Sequence, residues 1–363
     1  MSPVAIVGVG LMGGSLGLAL RALGTTRVIG VDPDPEALRV ALAVGAISEA
    51  ADSVEDAAAS AGVVVLAAPV PRIAALARQA LDASGDECVV TDIGSTKTGV
   101  MAGLSPADRA RFIGGHPVCG GERTGVAFAR QELFRDATWF LTPGAEARSD
   151  LFQRLHGLVA SIGARPVAID AQVHDRLMAL VSHLPHVLAG ALVNQAADTA
   201  PGGREALRSA GPSFVDLTRV AGSNPPLWAD ILLANAAAVL EEMRAYSARL
   251  ADVEAALERG DRDWLLGFVA EAGEARARLR RVEDREPADA TRVIVGIPNR
   301  PGAISEIATA LGHAHINIED LSLHPGPPDG EGELVLLVES PAAAQEAVRL
   351  VGERGYHAWE AQA

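Results

Sequence analysis

The chain has 363 residues, a mass of 37.5 kDa and a net charge of −15, from 31 Lys and Arg against 46 Asp and Glu. Its 49% apolar content excludes wholesale disorder, its length asks for two or three cores, and its acidity excludes a general grip on nucleic acid or an anionic membrane. Two cysteines, Cys88 and Cys119, exclude a disulfide framework and a Cys-rich zinc site. No signal peptide is read before Val4, and no uninterrupted apolar run reaches the ~18 residues of a membrane span, so the expected location is the cytoplasm. The single lysine, Lys97, stands against 30 Arg, which reads as genome composition.

Over residues 1–168, apolar runs of strand length alternate with helical stretches. The runs are Val4–Val7, Val28–Val31, Val63–Ala67, Val89–Thr91 and Phe112–Gly114, with Trp139–Leu141 and Arg165–Ile169 later. Most are continuously apolar, as suits parallel strands buried on both faces. Helices are expected at Ser15–Leu23, Pro35–Val44, Pro71–Leu81 and Arg148–Ile162. The pattern predicts an α/β domain with a doubly wound parallel sheet. Residues 169–286 read as all-helical, with helices at Gln172–Gln195, Arg204–Leu207, Pro212–Val220, Pro226–Leu257 and Arg262–Arg281. Pro226–Leu257 would reach about 48 Å, a length that suits packing against a second subunit unless it kinks. Glu283–Asp289 reads as a linker. Residues 291–363 restart with strands at Arg292–Ile297, Ile316–Leu323, Glu333–Val338 and Tyr356–Trp359, around helices Ala303–Leu311 and Ala342–Arg354. That is a ferredoxin-like βαββαβ plait.

Gly8-Val-Gly10-Leu11-Met12-Gly13 leaves the first strand and opens a helix. Asp32, 19 positions on, ends the second strand. The glycines allow a tight turn, close backbone approach to a pyrophosphate and close helix–strand packing, and a carboxylate at Asp32 bonds the ribose 2′-OH and repels a 2′-phosphate. This predicts NAD, held by Gly8, Gly10, Leu11, Met12, Gly13, Asp32 and Ala68. The overlapping Gly13-Gly-Ser15-Leu-Gly17 matches the hydrolase elbow but lies inside the helix, so that reading is rejected.

Further polar residues follow strand ends, where ligands sit in open α/β sheets. Ser95, in Thr91-Asp-Ile-Gly-Ser95-Thr-Lys97, lies at the crevice or caps the next helix; Lys97 adds positive potential or sits at the surface. His116, in the glycine-rich stretch Gly114–Glu122, reads as a loop imidazole able to receive a proton as an alcohol is oxidised. Cys119 reads as a small buried residue rather than a nucleophile. Ser182 and His186 share one helix face, with Pro185 expected to kink that helix. His174, His183 and His186 lack the carboxylate or Cys that would complete a metal site, so no metal is assigned. Arg219, near a helix end, offers a planar fork for a carboxylate.

Together GVGLMGGSLG (8–17), DIGSTK (92–97), GGHPVCG (114–120), SHLPH (182–186) and DLTRVAGSNPPLW (216–228) resemble the prephenate dehydrogenase family, in family order over residues 1 to about 285. IPNRPGAISEIATALGHAHINIEDLSL, from Ile297, resembles an ACT domain. The resemblance implies a Rossmann domain, a helical dimerisation domain making a homodimer, and an active site between them. It implies that His116 bonds the C4 hydroxyl of prephenate, with Ser95 near that hydroxyl and the nicotinamide. Ser182 and His186 would shape the pocket, Arg219 would hold a substrate carboxylate, and Glu122 would line the entrance. Some members carry a basic residue at the position of Val215, so the carboxylate clamp is expected to be weaker or differently built here. In the ACT segment, Asn299, Gly302, Ala303 and Asn317 would hold a small effector between paired copies, with tyrosine, the pathway end product, expected first. Arogenate dehydrogenase, or a dual-substrate cyclohexadienyl dehydrogenase, stays open as an alternative. β-Hydroxyacid dehydrogenases rely on a helical lysine, and none follows Lys97. A non-catalytic sensor would not need Ser95, His116 and Arg219 together.

Overall fold

The computed structural model describes every residue except 1, 26, 121–122, 200–208, 284–290, 299, 301, 325–330 and 361–363. An eight-stranded sheet has the order β3-β2-β1-β4-β5-β6-β7-β8. Its strands are β1 (Val4–Val7), β2 (Val28–Val31), β3 (Glu49–Ala50), β4 (Val63–Leu66), β5 (Val89–Asp92), β6 (Phe112–Pro117), β7 (Thr138–Pro143) and β8 (Arg165–Ala168). Val4 and Ile6 of β1 enter one core, Ala5 and Val7 the other, and all four are buried. A strand covered on both faces has no need of a polar residue at alternate positions, which explains the unbroken apolar runs.

The sheet is parallel except where β7 runs antiparallel to β6. No α-helix crosses between those two strands among the described residues of the connection, so the chain returns alongside β6 in the opposite direction. The two-residue β3 and the short helices Val54–Ala58, Thr98–Ala102 and Pro106–Arg109 have too little sequence to show a periodicity.

One continuous helical rod runs from Ala171 to Thr199. It is α-helical over Ala171–Met178, π-helical over Ala179–His183 and α-helical again over Leu184–Thr199. Pro185 has no N–H to offer the carbonyl four residues back, and the widened π turn ahead of it takes up that defect without breaking the rod. The helix over residues 171–198 is long and apolar enough to cross a membrane, its most apolar 18-residue window having a mean hydropathy of 1.5. A scan for uninterrupted apolar runs misses this because His174, Asp175, His183 and His186 punctuate the helix.

Pro226–Leu257 is not one helix but two, Pro225–Ala234 and Ala236–Arg259, divided at Asn235. A short helix Pro212–Thr218 continues as a 3₁₀ turn, Arg219–Gly222, and Arg262–Glu283 closes the helical part. The expected helix Arg204–Leu207 and the linker beyond Glu283 lie outside the described residues.

A second sheet, antiparallel and of order β10-β11-β9-β12, comprises β9 (Thr291–Pro298), β10 (Ile318–His324), β11 (Glu331–Val338) and β12 (His357–Glu360), with helices Ala303–His313 and Pro341–Gly352. Its core, including Val293, Ile307 and Leu336, is continuous with one core of the large sheet. The edge strand β10 lies against β8, the edge strand of the large sheet.

Candidate active site

The glycine loop carries the geometry a dinucleotide needs. Gly8 has φ +96°, and a Cβ there would fall 2.3 Å from the Ala67 carbonyl oxygen; a Cβ at Gly13 would fall 1.9 Å from the Gly8 oxygen. Around Gly10, by contrast, a Cβ would meet nothing within 4 Å. The helix Leu11–Ala22 begins there with no side-chain cap, so Leu11 and Met12 open a first turn whose N–H groups face an approaching anion. Asp32 accepts hydrogen bonds from Val9 N–H and Asp34 N–H, both 2.9 Å, and each carboxylate oxygen keeps a lone pair for a ribose hydroxyl. Ala68 is half-buried just past β4. These residues fit NAD. Ser15 is fully buried and its hydroxyl accepts from Arg130 N–H at 2.9 Å, a packing role that removes it from nucleophilic chemistry.

His116 is not in a loop. It is on β6, opposite Phe140 of β7, and is buried. The glycines before it looked like loop residues but serve close packing: a Cβ on Gly115 would fall 2.4 Å from the Asp92 carbonyl oxygen, and on Gly114 2.3 Å from Thr142 Oγ1. Lys97 is not at the surface or free to meet an anion. It is fully buried and bonds Asp92 and, at 2.7 Å, the Gly115 carbonyl. Asp92 also accepts from Gly94 N–H (2.8 Å) and Gly115 N–H (3.0 Å). This cluster pins the ends of β5 and β6, and with them the loop carrying half-buried Ser95.

Sequence reading gave the capping of helix Thr98–Ala102 to Ser95 as one of its roles. That helix has no local side-chain cap. Asp175 does the work instead, its two carboxylate oxygens accepting from Lys97 N–H and Thr98 N–H at 2.8 Å each. The same carboxylate meets His174 Nδ1 at 2.8 Å, and His174 Nε2 meets His116 Nδ1 at 2.8 Å. With Asp175 ionised, His174 donates through Nδ1. Its Nε2 must then accept from His116 Nδ1–H, which leaves His116 Nε2 unprotonated, with its lone pair available to accept. Burial, with smaller contributions from neighbouring cations and imidazoles, holds His116 well below 6.5. Burial also lowers His174, against the pull of Asp175. The pair is therefore neutral near pH 7, with a base at one end and a buried carboxylate at the other.

A second chain of contacts extends from Asp175. Its backbone carbonyl accepts from Asn235 Nδ2 at 2.7 Å, and Asn235 lies 3.1 Å from His183 Nδ1. This explains the helix break at Asn235, whose buried amide bridges two helices. His183 is buried, and burial pulls it down to about 4. Its ring meets Trp228 edge-on, and His186 stacks flat on the same indole at 3.5 Å. Trp228 thus joins the SHLPH and DLTRVAGSNPPLW segments. Ser182 is half-buried beside them, and the turn Arg219–Gly222 packs on helix Leu184–Thr199. Arg219 itself is exposed, as is Val215. Glu122 lies outside the described residues. Cys119 is half-buried and burial raises its thiol to about 11, which suits packing, not nucleophilic attack. Among the described residues no three His, Cys, Asp or Glu side chains converge as metal ligands.

In the C-terminal segment, Gly302 and buried Ala303 line a crevice against Pro143 and Phe152, while Asn317 lines a different cavity. Asn299 lies outside the described residues.

Sequence reasoning weighed His174 only as a metal ligand, and missed Asp175, Asn235 and Trp228. The one local signal was the pair His174-Asp175, two polar residues on the inward face of an amphipathic helix.

Residues 16–168 match the nucleotide-binding domain of prephenate dehydrogenase, residues 170–271 its dimerization domain, and residues 291–351 the ACT domain. The chain is 30% identical over 356 residues to a prephenate dehydrogenase of Bacillus subtilis, covering 97% of this chain and 96% of the relative. A cyclohexadienyl dehydrogenase of Zymomonas mobilis is 32% identical over 287 residues, 78% of this chain and 98% of that one. The crystal structure of the A. aeolicus prephenate dehydrogenase in complex with hydroxyphenyl propionate and NAD+ matches with a TM-score of 0.72 at 29% identity, covering 77% of this chain and 98% of the other.

Proposed function

The chain belongs to the prephenate dehydrogenase family, and on that premise we propose how its own residues perform the NAD-dependent oxidative decarboxylation of prephenate to 4-hydroxyphenylpyruvate, a step of tyrosine biosynthesis. The observation that carries the assignment of roles is the buried relay Asp175–His174–His116, which leaves a neutral imidazole with a free Nε2. NAD+, which the Gly8–Gly13 loop and Asp32 would hold, would supply the acceptor for the hydride that leaves C4. His116 Nε2 accepts the C4 hydroxyl's hydrogen bond as that C–O bond gains carbonyl character, and His174 and Asp175 stabilise the charge that develops on the ring. The C1 carboxylate leaves as CO2 and the ring becomes aromatic. Ser95, in the pinned loop after β5, orients the C4 hydroxyl and the nicotinamide. Ser182 and His186, the latter held flat by Trp228, shape the ring pocket. Arg219 receives a substrate carboxylate, and Glu122 lines the entrance. Asp32 selects NAD over NADP.

The assay is NADH formation from prephenate and NAD+, run beside arogenate. Turnover of prephenate supports the reading; turnover of arogenate alone overturns the substrate. The Zymomonas relative favours a second reading in which both are used.

The dimerization domain makes a homodimer the expected assembly. In support, the helical part leaves Leu217, Leu233, Leu257 and Val269 at 65, 77, 62 and 65% exposure, more than a lone domain keeps in water. The same demand accounts for the apolar helix over residues 171–198. The expected location is the cytoplasm. The ACT segment is read as the seat of feedback control by an aromatic amino acid, tyrosine first.

A further inference from the structure

Lys97 touches the histidine relay at both of its ends. Its ammonium is fully buried, pairs with Asp92 and donates to the Gly115 carbonyl at 2.7 Å; Gly115 directly precedes His116 on β6. Its backbone N–H donates to one carboxylate oxygen of Asp175 at 2.8 Å, while Thr98 N–H takes the other. One residue of the loop after β5 therefore grips the strand that carries the base and the carboxylate that orients it. Asp92 reinforces the first grip. It accepts from Gly115 N–H at 3.0 Å, so both backbone groups of Gly115 are tied to the same ion pair. Ser95 precedes Lys97 by two positions in that loop.

We propose that Lys97 is a positioning residue for the reaction: it fixes His116 against His174 and Asp175 and does not meet the substrate. The inference rests on the assignment of His116 as the base and names what holds that base in place. A lysine beside a site for a dianion invites a role in binding carboxylate. The fold closes that route, because the ammonium has no exposed surface and Asp92 already neutralises it. Composition points the same way. Every other cationic side chain that counts toward the 31 Lys and Arg is Arg. Here the stem is wedged under Gly114, where an added Cβ would fall 3.0 Å from Lys97 Cδ. A compact ammonium reaches two acceptors in such a space; a planar guanidinium fork is too large for it.

The buried cation also acts through space. The charged and titratable groups around His116 are His174 and Asp175 from helix Ala171–Met178, His183 from the π turn, and Asp92 and Lys97 from β5 and its loop. Burial chiefly opposes protonation of His116, and His174, Lys97 and His183 add to it. Lys97 opposes protonation of His174 as well, after burial and against Asp175. A cation held behind the pair thus favours the neutral state in which His116 Nε2 can accept.

The test uses the full-length enzyme. Lys97→Met keeps an unbranched stem and removes both the charge and the bond to Gly115. It leaves Asp92 buried without its partner, so the double variant Lys97→Met/Asp92→Asn, which leaves no charge of this pair unmatched, is made beside it. Thermal unfolding identifies which variants are folded. In a folded variant kcat should fall by about 10- to 100-fold, as for a small displacement of a reacting group. KM for prephenate and for NAD+ should stay close to wild type. The acid limb of kcat/KM should move to higher pH, because the cation that opposed protonation of His116 is gone. A purely structural role would leave that limb in place. A raised KM for prephenate with unchanged kcat would make Lys97 a substrate-binding cation and overturn the proposal. Normal kcat in a folded variant, or an acid limb that does not move, would overturn it too. Absence of prephenate turnover in wild type would refute the reaction itself, an outcome read separately from the comparison of variants.

Discussion

The Nε2 atom of His174 lies 2.8 Å from Nδ1 of His116, so two buried imidazoles share a single proton and only one arrangement of it agrees with the carboxylate of Asp175. Replacing that carboxylate by an amide removes the agreement. Asp175→Asn offers the helix Thr98–Ala102 and His174 a group of the same shape but turns the relay toward the wrong tautomer. We expect kcat to fall by about 10²–10⁴-fold with NAD+ affinity retained. Thermal unfolding of the variant separates this from misfolding; a folded Asp175→Asn enzyme with normal kcat would remove the relay from the mechanism.

His116→Asn should lower kcat by about 10²–10⁴-fold. In wild type the base form of His116 is the active one, and burial holds its pKa well below 6.5. The acid limb of kcat/KM should therefore lie below pH 6.5. A limb at or above that value would mean that another group titrates.

The same burial ties stability to pH. His116, His174 and His183 are all lowered in the fold, so the unfolded chain binds protons that the folded chain refuses. Their contribution is whole above about pH 6.5, the unfolded value, and is lost as pH falls toward the folded values, about 4 for His183. Denaturant midpoints should drop steadily from pH 7 to pH 5; a flat profile contradicts the neutral buried cluster.

Asp32→Ser should narrow the preference for NAD+ over NADP+, because it removes the charge that repels a 2′-phosphate. The ratio of kcat/KM for the two coenzymes is the measurement. A wild-type preference for NADP+ would refute the assignment outright.

Arg219→Gln should raise KM for prephenate and spare NAD+ affinity. Loss of a charge-assisted carboxylate bond costs about 1.5–3 kcal/mol, or roughly 10- to 150-fold in KM. Collapse of NAD+ binding instead would assign Arg219 to the coenzyme or to the fold.

The centre of the sheet was legible because β1, β2, β4, β5 and β6 bury both faces, so each apolar run needs no interpretation beyond its length. The glycine loop was legible because three steric demands and one carboxylate fall within 25 residues. The relay was not. His174 and His116 are 58 residues apart and meet only when the helical part docks on the sheet. A histidine on a helix face has the same local signature whether it is packed, liganded or catalytic. His116 read as a loop residue because Gly114 and Gly115 suggest freedom, whereas their missing side chains make room for Thr142 and the Asp92 backbone. Asn235 sits inside an apolar run, and nothing short of its distant partner explains why the helix stops there.

Lys97 has a practical consequence for handling the protein. It is the chain's one lysine and its ammonium is sealed between Asp92 and the Gly115 carbonyl. Amine-directed esters and crosslinkers therefore find no accessible lysine on the folded chain. Modification of Lys97 would in turn report unfolding, since the reagent reaches it only when β5 and β6 have come apart.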